Sequence, residues 1–112
     1  MELKEQIIKD IKNNPVILCM KGTQDMPMCG FSNSVVQVLS QYGVEFKDVN
    51  VLEDPEIRVK LSEYSNWPTI PQLYVKGEFI GGCDIVREMF ESGELQQMFK
   101  EKSVTMEDVS AK

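Results

Sequence analysis

Cys29 is the residue around which chemistry can be built in this chain. It stands in Pro27-Met28-Cys29-Gly30-Phe31-Ser32, between loop-type residues and the first turn of a helical pattern. Free backbone N–H groups and the positive end of a helix dipole meet at such a position, and both favour thiolate over thiol. Lys21, upstream of the same loop, adds a second positive influence. An exposed cysteine of lowered pKa is a nucleophile and a soft metal ligand; the bland alternative for Cys29 is a small buried hydrophobe. Cys19, inside the apolar run Val16-Ile17-Leu18-Cys19-Met20, reads as an inert buried thiol. The chain has no histidine, which removes His-based acid–base catalysis, Ser-His-Asp and Cys-His arrangements, and any His-ligated metal site of its own.

The elements that must position Cys29 follow from hydrophobic periodicity. Leu3, Ile7, Ile8 and Ile11 recur at helical spacing up to Asn13-Asn14-Pro15, and residues 16–20 have the length and branching of a strand buried on both faces. Gly22, Thr23, Asp25 and Pro27 make residues 21–28 a loop, after which Val35, Leu39 and Tyr42 define a helix with Gly43 as its C-terminal cap. Residues 44–51 are expected as a second strand. Asp54-Pro55 reads as an N-cap with proline in the first turn of a helix carrying Ile57, Leu61 and Tyr64. A two-proline loop, Trp67 to Pro71, precedes a hairpin in which Leu73-Tyr74-Val75 and Phe79-Ile80 flank Lys76-Gly77-Glu78. Beyond Gly81-Gly82 comes a helix with Ile85, Val86, Met89 and Phe90, broken at Gly93 and continued briefly by Leu95, Met98 and Phe99.

This order, α-β-α-β-α-ββ-α-α, implies an α/β fold: a four-stranded mixed sheet with helices on both faces. Ligands of such sheets bind beyond the carboxyl ends of the parallel strands, where the Cys29 loop falls. The chain's 112 residues make one domain, expected over 1–102, with 103–112 a disordered tail. With 12 basic and 18 acidic residues and a net charge of −6, neither nucleic acid nor an anionic membrane is an expected partner. No apolar run approaches the roughly 20 residues that span a bilayer, and three cysteines are too few and odd for a disulfide framework. A soluble protein of a reducing compartment is expected: cytoplasmic, or mitochondrial matrix as a processed form.

Four segments in register carry a resemblance. Lys21-Gly22, Pro27 to Ser32, Trp67-Pro68-Thr69-Ile70-Pro71-Gln72-Leu73 and Gly81-Gly82-Cys83-Asp84 resemble the motif set of monothiol glutaredoxins of the CGFS type, over about residues 3–100. The resemblance implies a thioredoxin fold, bound glutathione, and a 2Fe–2S cluster bridging two subunits as a homodimer, with Cys29 as its ligand from each chain. Lys21 and Arg58 match positions that contact the glycine carboxylate of glutathione; without the resemblance Arg58 reads as a solvated helix charge. Thr69-Ile70-Pro71 matches the loop whose proline is cis and whose Ile70 backbone pairs with the tripeptide. Cys83 and Asp84 fall in the segment that receives the γ-glutamyl end, Asp84 also being placed to stabilise its own helix. Cys83 stays open between packing and a disulfide with Cys29. Phe31 and Trp67 stay open between core and cleft.

Ser32 occupies the place of the second cysteine of dithiol relatives, and a hydroxyl cannot resolve a mixed disulfide. Residues 22–28 form a long loop like that of the cluster-binding class. Two roles follow from the resemblance: assembly and transfer of iron–sulfur clusters to recipient proteins, with a BolA-like protein as a further partner, and single-cysteine glutathione-dependent oxidoreduction, expected to be weak. A third role, partner binding alone, requires only the fold.

Overall fold

The computed structural model describes residues 3–67 and 69–104. Helix α1 (Leu3–Asn13) leads into β1 (Val16–Met20), and the loop carrying Cys29 delivers the chain to α2 (Gly30–Gln41). Strand β2 (Lys47–Asn50) follows, then a 3-10 turn (Val51–Glu53), α3 (Pro55–Ser65), the hairpin β3 (Gln72–Val75) and β4 (Glu78–Gly81), and finally α4 (Cys83–Ser92) and α5 (Glu94–Glu101). The sheet runs β2-β1-β3-β4, with β1 parallel to β2 and antiparallel to β3, and β4 antiparallel to β3. It is the expected four-stranded mixed sheet, with α1 and α3 on one face and α2, α4 and α5 on the other.

The unbroken apolar run of β1 is explained by two cores. Val16, Leu18 and Met20 pack with Val35, Leu39, Leu73, Val86 and Phe99; Ile17 and Cys19 pack with Ile7, Ile11, Leu61 and Tyr74. Side chains alternate across a strand, so a central strand covered on both faces must be apolar throughout. Every residue of β1 is buried.

Caps set the element ends much as their residue types predict. Asp54 accepts a hydrogen bond from the Glu56 N–H at 3.0 Å, with Pro55 behind it in the first turn of α3. Gly93, at φ 88°, ends α4. The hairpin turn is shorter than expected: Lys76 and Gly77, both at positive φ, make it as a pair, and Glu78 already belongs to β4. The second strand is also shorter. Residues 44–46 form no strand, and Val51 opens the 3-10 turn, because Asn50 Oδ1 accepts from the Leu52 N–H at 3.0 Å and bends the chain. Glu101 is helical, and Val104, on the tail side of the expected boundary, packs beneath α5 in the larger core. The rest of that tail, 105–112, lies outside the described residues.

No helix among the described residues is long and apolar enough to cross a membrane.

Candidate thiol site and its cleft

Cys29 is the N-cap of α2, with an extended backbone (φ −149°, ψ 135°) that turns into the helix at Gly30. Its sulfur therefore faces the free N–H groups of the first turn. The Ser32 backbone N–H lowers the thiol pKa most; burial, the next largest effect, opposes it, and the Phe31 N–H, the Lys21 ammonium and the Ser32 hydroxyl, each smaller than burial, lower it further. The helix-terminus expectation and the Lys21 expectation both hold.

Ser32 does more than lack a thiol. Its side chain is fully buried, and its Oγ accepts a hydrogen bond from the Lys21 N–H at 3.2 Å. The hydroxyl thus fixes the end of β1 to the first turn of α2 and leaves its proton for the Cys29 sulfur. The loop between them is an internally bonded turn: Thr23 and Met26 exchange backbone hydrogen bonds at 3.2 and 3.1 Å, and the Met28 N–H reaches the Lys21 carbonyl at 2.9 Å. Gly22 permits this closure. It sits at φ 91°, and a Cβ there would meet the Met26 carbonyl oxygen at 2.5 Å and the Met28 nitrogen at 2.7 Å.

Cys29 opens on a cleft of about 440 Å³. Lys21 and Phe31 border it on the Cys29 side and Arg58 comes from α3; Trp67, Thr69, Ile70 and Pro71 come from the loop before β3, and Gly82, Cys83 and Asp84 from the start of α4. All seven residues expected at the site (Lys21, Cys29, Arg58, Thr69, Ile70, Cys83 and Asp84) are brought together here. The Ile70–Pro71 peptide is cis, in agreement with the resemblance. A larger hollow, about 610 Å³, lies at the other end of β1 among Asn14, Lys47, Lys76 and Val104, and no cysteine lines it.

Gln72 was legible only as part of a motif, and the structure gives it a task. Fully buried, its Nε2 donates to the Trp67 and Thr69 carbonyls at 3.0 and 3.2 Å, while its Oε1 accepts from the Tyr74 hydroxyl at 2.8 Å. A single amide thereby holds the Trp67–Pro71 loop to the sheet. Gly82 completes the wall by its small size, since a Cβ there would lie 3.2 Å from both the Pro71 oxygen and the Trp67 Nε1.

The remaining open assignments divide clearly. Cys19 is wholly buried, and burial pushes its thiol up to about 12. Cys83 lines the cleft but is packed into the larger core, and burial raises its thiol too; all three cysteines are free thiols. Trp67 is half-buried and stacks at 5.8 Å on Phe79 while lining the cleft. Phe31 is 63% exposed, and Met26 and Met28 are exposed to 69% and 63%. These three apolar side chains beside Cys29 are not evident as an exposed surface from the sequence pattern, because Met26 and Met28 lie in a loop and Phe31 in the first turn of α2, so no single periodicity joins them.

A cysteine capping the helix after the first strand of a mixed sheet, with a cis-proline loop on the same cleft, defines a thiol protein of the thioredoxin fold. A family model described as glutaredoxin matches residues 16–80. The probable monothiol glutaredoxin 2 of Rickettsia conorii is 56% identical over 94 residues, covering 84% of this chain and 88% of that protein. Glutaredoxin 4 of Escherichia coli is 53% identical over 97 residues, covering 87% and 84%. Among solved structures, that of a monomeric truncated mutant of Trypanosoma brucei 1-C-Grx1 superposes with a TM-score of 0.87 at 41% identity, covering 97% of this chain and 99% of that one. The chain belongs to the glutaredoxin family, among its monothiol members.

Proposed function

We propose that this chain binds glutathione in the Cys29 cleft and, as two such complexes, carries a 2Fe–2S cluster that it passes to recipient proteins. The observation that carries the reading is the supply of thiolates. A 2Fe–2S cluster takes four, and among the described residues no group of three or more Cys, Asp or Glu side chains stands together. Cys29 is the cysteine whose thiolate is favoured, Cys19 and Cys83 being buried with raised pKa. Two copies of Cys29 and two glutathione thiols complete the count, so the donor set fits the cargo only as a dimer with the tripeptide present.

Each residue of the cleft has work to do in that arrangement. Lys21 and Arg58 supply cationic donors for the glycine carboxylate, and a guanidinium can bind it through two parallel hydrogen bonds. The Ile70 backbone, held by the Gln72-anchored loop, offers strand-like pairing to the peptide. The free N–H groups at the start of α4 suit the γ-glutamyl carboxylate, with Asp84 beside them for the amine. The exposed Met26, Met28 and Phe31 suit the approach of a second subunit or a recipient.

The lowered pKa of Cys29 also favours a second reading, removal of glutathione from mixed disulfides. The Cys29 thiolate attacks the glutathione sulfur, the substrate thiolate leaves, and a second glutathione thiolate then releases Cys29 as glutathione disulfide forms. Ser32 supplies no resolving thiol, so this cycle depends on glutathione from solution and runs slowly.

Anaerobic reconstitution with iron, sulfide and glutathione tests the main reading. A visible cluster chromophore in a sedimenting dimer, with the protein returning to monomer after chelation, is the expected result. Dithiothreitol in place of glutathione should give little stable cluster. Full, durable incorporation without glutathione, or a monomeric cluster-bearing form, would overturn it.

A further inference from the structure

We infer that Asn50 is a positioning residue of the cleft, setting the two carboxylate-binding cations against each other. Its Oδ1 accepts two backbone hydrogen bonds from opposite sides: the Gly22 N–H at 2.9 Å and the Leu52 N–H at 3.0 Å. The first belongs to the root of the Cys29 loop, directly after Lys21. The second belongs to the 3-10 turn that leads through the Asp54 cap into α3, which carries Arg58. Lys21 and Arg58 line the same cleft from these two segments.

Physical necessity makes the link strong. Gly22 is buried, and its backbone is held at φ 91° against Met26 and Met28, so its N–H has no freedom to turn toward water. Removing the acceptor leaves that donor unpaired, and the loop root must shift to satisfy it. The Lys21 N–H is tied to Ser32 and its carbonyl to Met28, so a shift at Gly22 carries Lys21 with it. Gln24 also ties the loop to the sheet, through its N–H to Asp48 at 2.8 Å and its side chain to the Phe46 carbonyl at 3.3 Å. Those bonds anchor the loop tip to β2 and the residue just before it; Asn50 joins its root to the Arg58 side.

This inference rests on the reading of Lys21 and Arg58 as the glycine-carboxylate site. The test compares binding of glutathione with that of its monoethyl ester, whose glycine carboxylate is blocked, by calorimetry on the whole chain. Native protein should prefer glutathione about tenfold, the scale of one charge-assisted hydrogen bond. Asn50→Ser retains a hydroxyl for the local Leu52 turn but is too short to reach Gly22. It should lower that preference to about twofold, as should Asn50→Ala if it folds. A merely destabilised chain loses both ligands in parallel and leaves the ratio unchanged. Native-like preference in Asn50→Ser would overturn the inference while leaving the carboxylate site standing. Equal binding of the two ligands by native protein would overturn the carboxylate site, and this inference with it.

Discussion

Cys19 and Cys29 belong to adjoining segments, yet the molecule treats their thiols in opposite ways. Cys19 sits mid-strand on β1, enclosed by Ile11, Leu61 and Tyr74, with no solvent contact. Its backbone polar groups are committed to the sheet ladders on either side, so nothing nearby offers a donor to a thiolate, and desolvation governs its titration. Cys29 stands where a helix begins, and the Ser32 and Phe31 N–H groups have no carbonyl within the helix to bond. The lesson is that the two thiols differ through the state of the neighbouring backbone. A strand interior has used its donors, whereas a helix start still has donors to give.

The largest effect that can test this contrast is loss of the cluster. Cys29→Ser should abolish the reconstituted chromophore, while Cys19→Ser and Cys83→Ser retain most of it. A stable chromophore in Cys29→Ser would erase the distinction between the two sites. Alkylation sharpens the same point. Iodoacetamide at neutral pH should label Cys29 in the native chain and reach Cys19 only after unfolding, as peptide mapping would read.

A smaller effect concerns the loop that presents Cys29. Gly22→Ala forces a side chain into positive φ against backbone atoms of Met26 and Met28, and should cost about 2–4 kcal/mol in urea denaturation. Gly30→Ala, where a Cβ meets nothing within 4 Å and no positive φ opposes it, should leave stability unchanged or raise it by up to about 1 kcal/mol. Equal costs would show that the loop relaxes freely.

Ser32→Ala removes the acceptor of the Lys21 N–H and the hydroxyl beside Cys29. A loss of about 1–2 kcal/mol of stability is expected, together with a Cys29 pKa raised toward the ordinary thiol value, read from the pH profile of alkylation. An unmoved profile would leave the backbone N–H groups and the Lys21 ammonium as the cause.

The smallest effect is the pH dependence of stability, and here the two thiols act with opposite sign. Between the ordinary thiol value of 9.0 and about 12, the native chain keeps the Cys19 proton that the unfolded chain has released. That contribution is complete below 9.0 and falls away as pH rises through the window. Tyr74, whose phenol burial also pushes up, adds in the same direction at higher pH. Cys29, with its lowered pKa, contributes stability above the ordinary thiol value and loses it as pH falls through the lowered one. Urea midpoints should therefore decline on the alkaline side, and Cys19→Ala should flatten that decline.

The sequence by itself determined the order of elements and the place of the thiol whose pKa is lowered. Both are written in short-range terms: apolar periodicity in α1 to α5, the all-apolar run of β1, the Asp54-Pro55 start, the breaks at Gly43 and Gly93, and a cysteine just before a helix. Resemblance then gathered Lys21, Arg58, Thr69, Ile70, Cys83 and Asp84 around Cys29, and the cleft contains them all. Tertiary structure alone decided which polar side chains hold that cleft in shape. Ser32 bonds a backbone group 11 residues away and Asn50 one 28 residues away. Gln72 spans the loop before β3 and the Tyr74 hydroxyl at once. The choice of partner for such a side chain depends on which unpaired N–H or carbonyl the folded chain brings within reach. Periodicity records which face of an element is buried; it carries no record of the distant donor that burial leaves waiting.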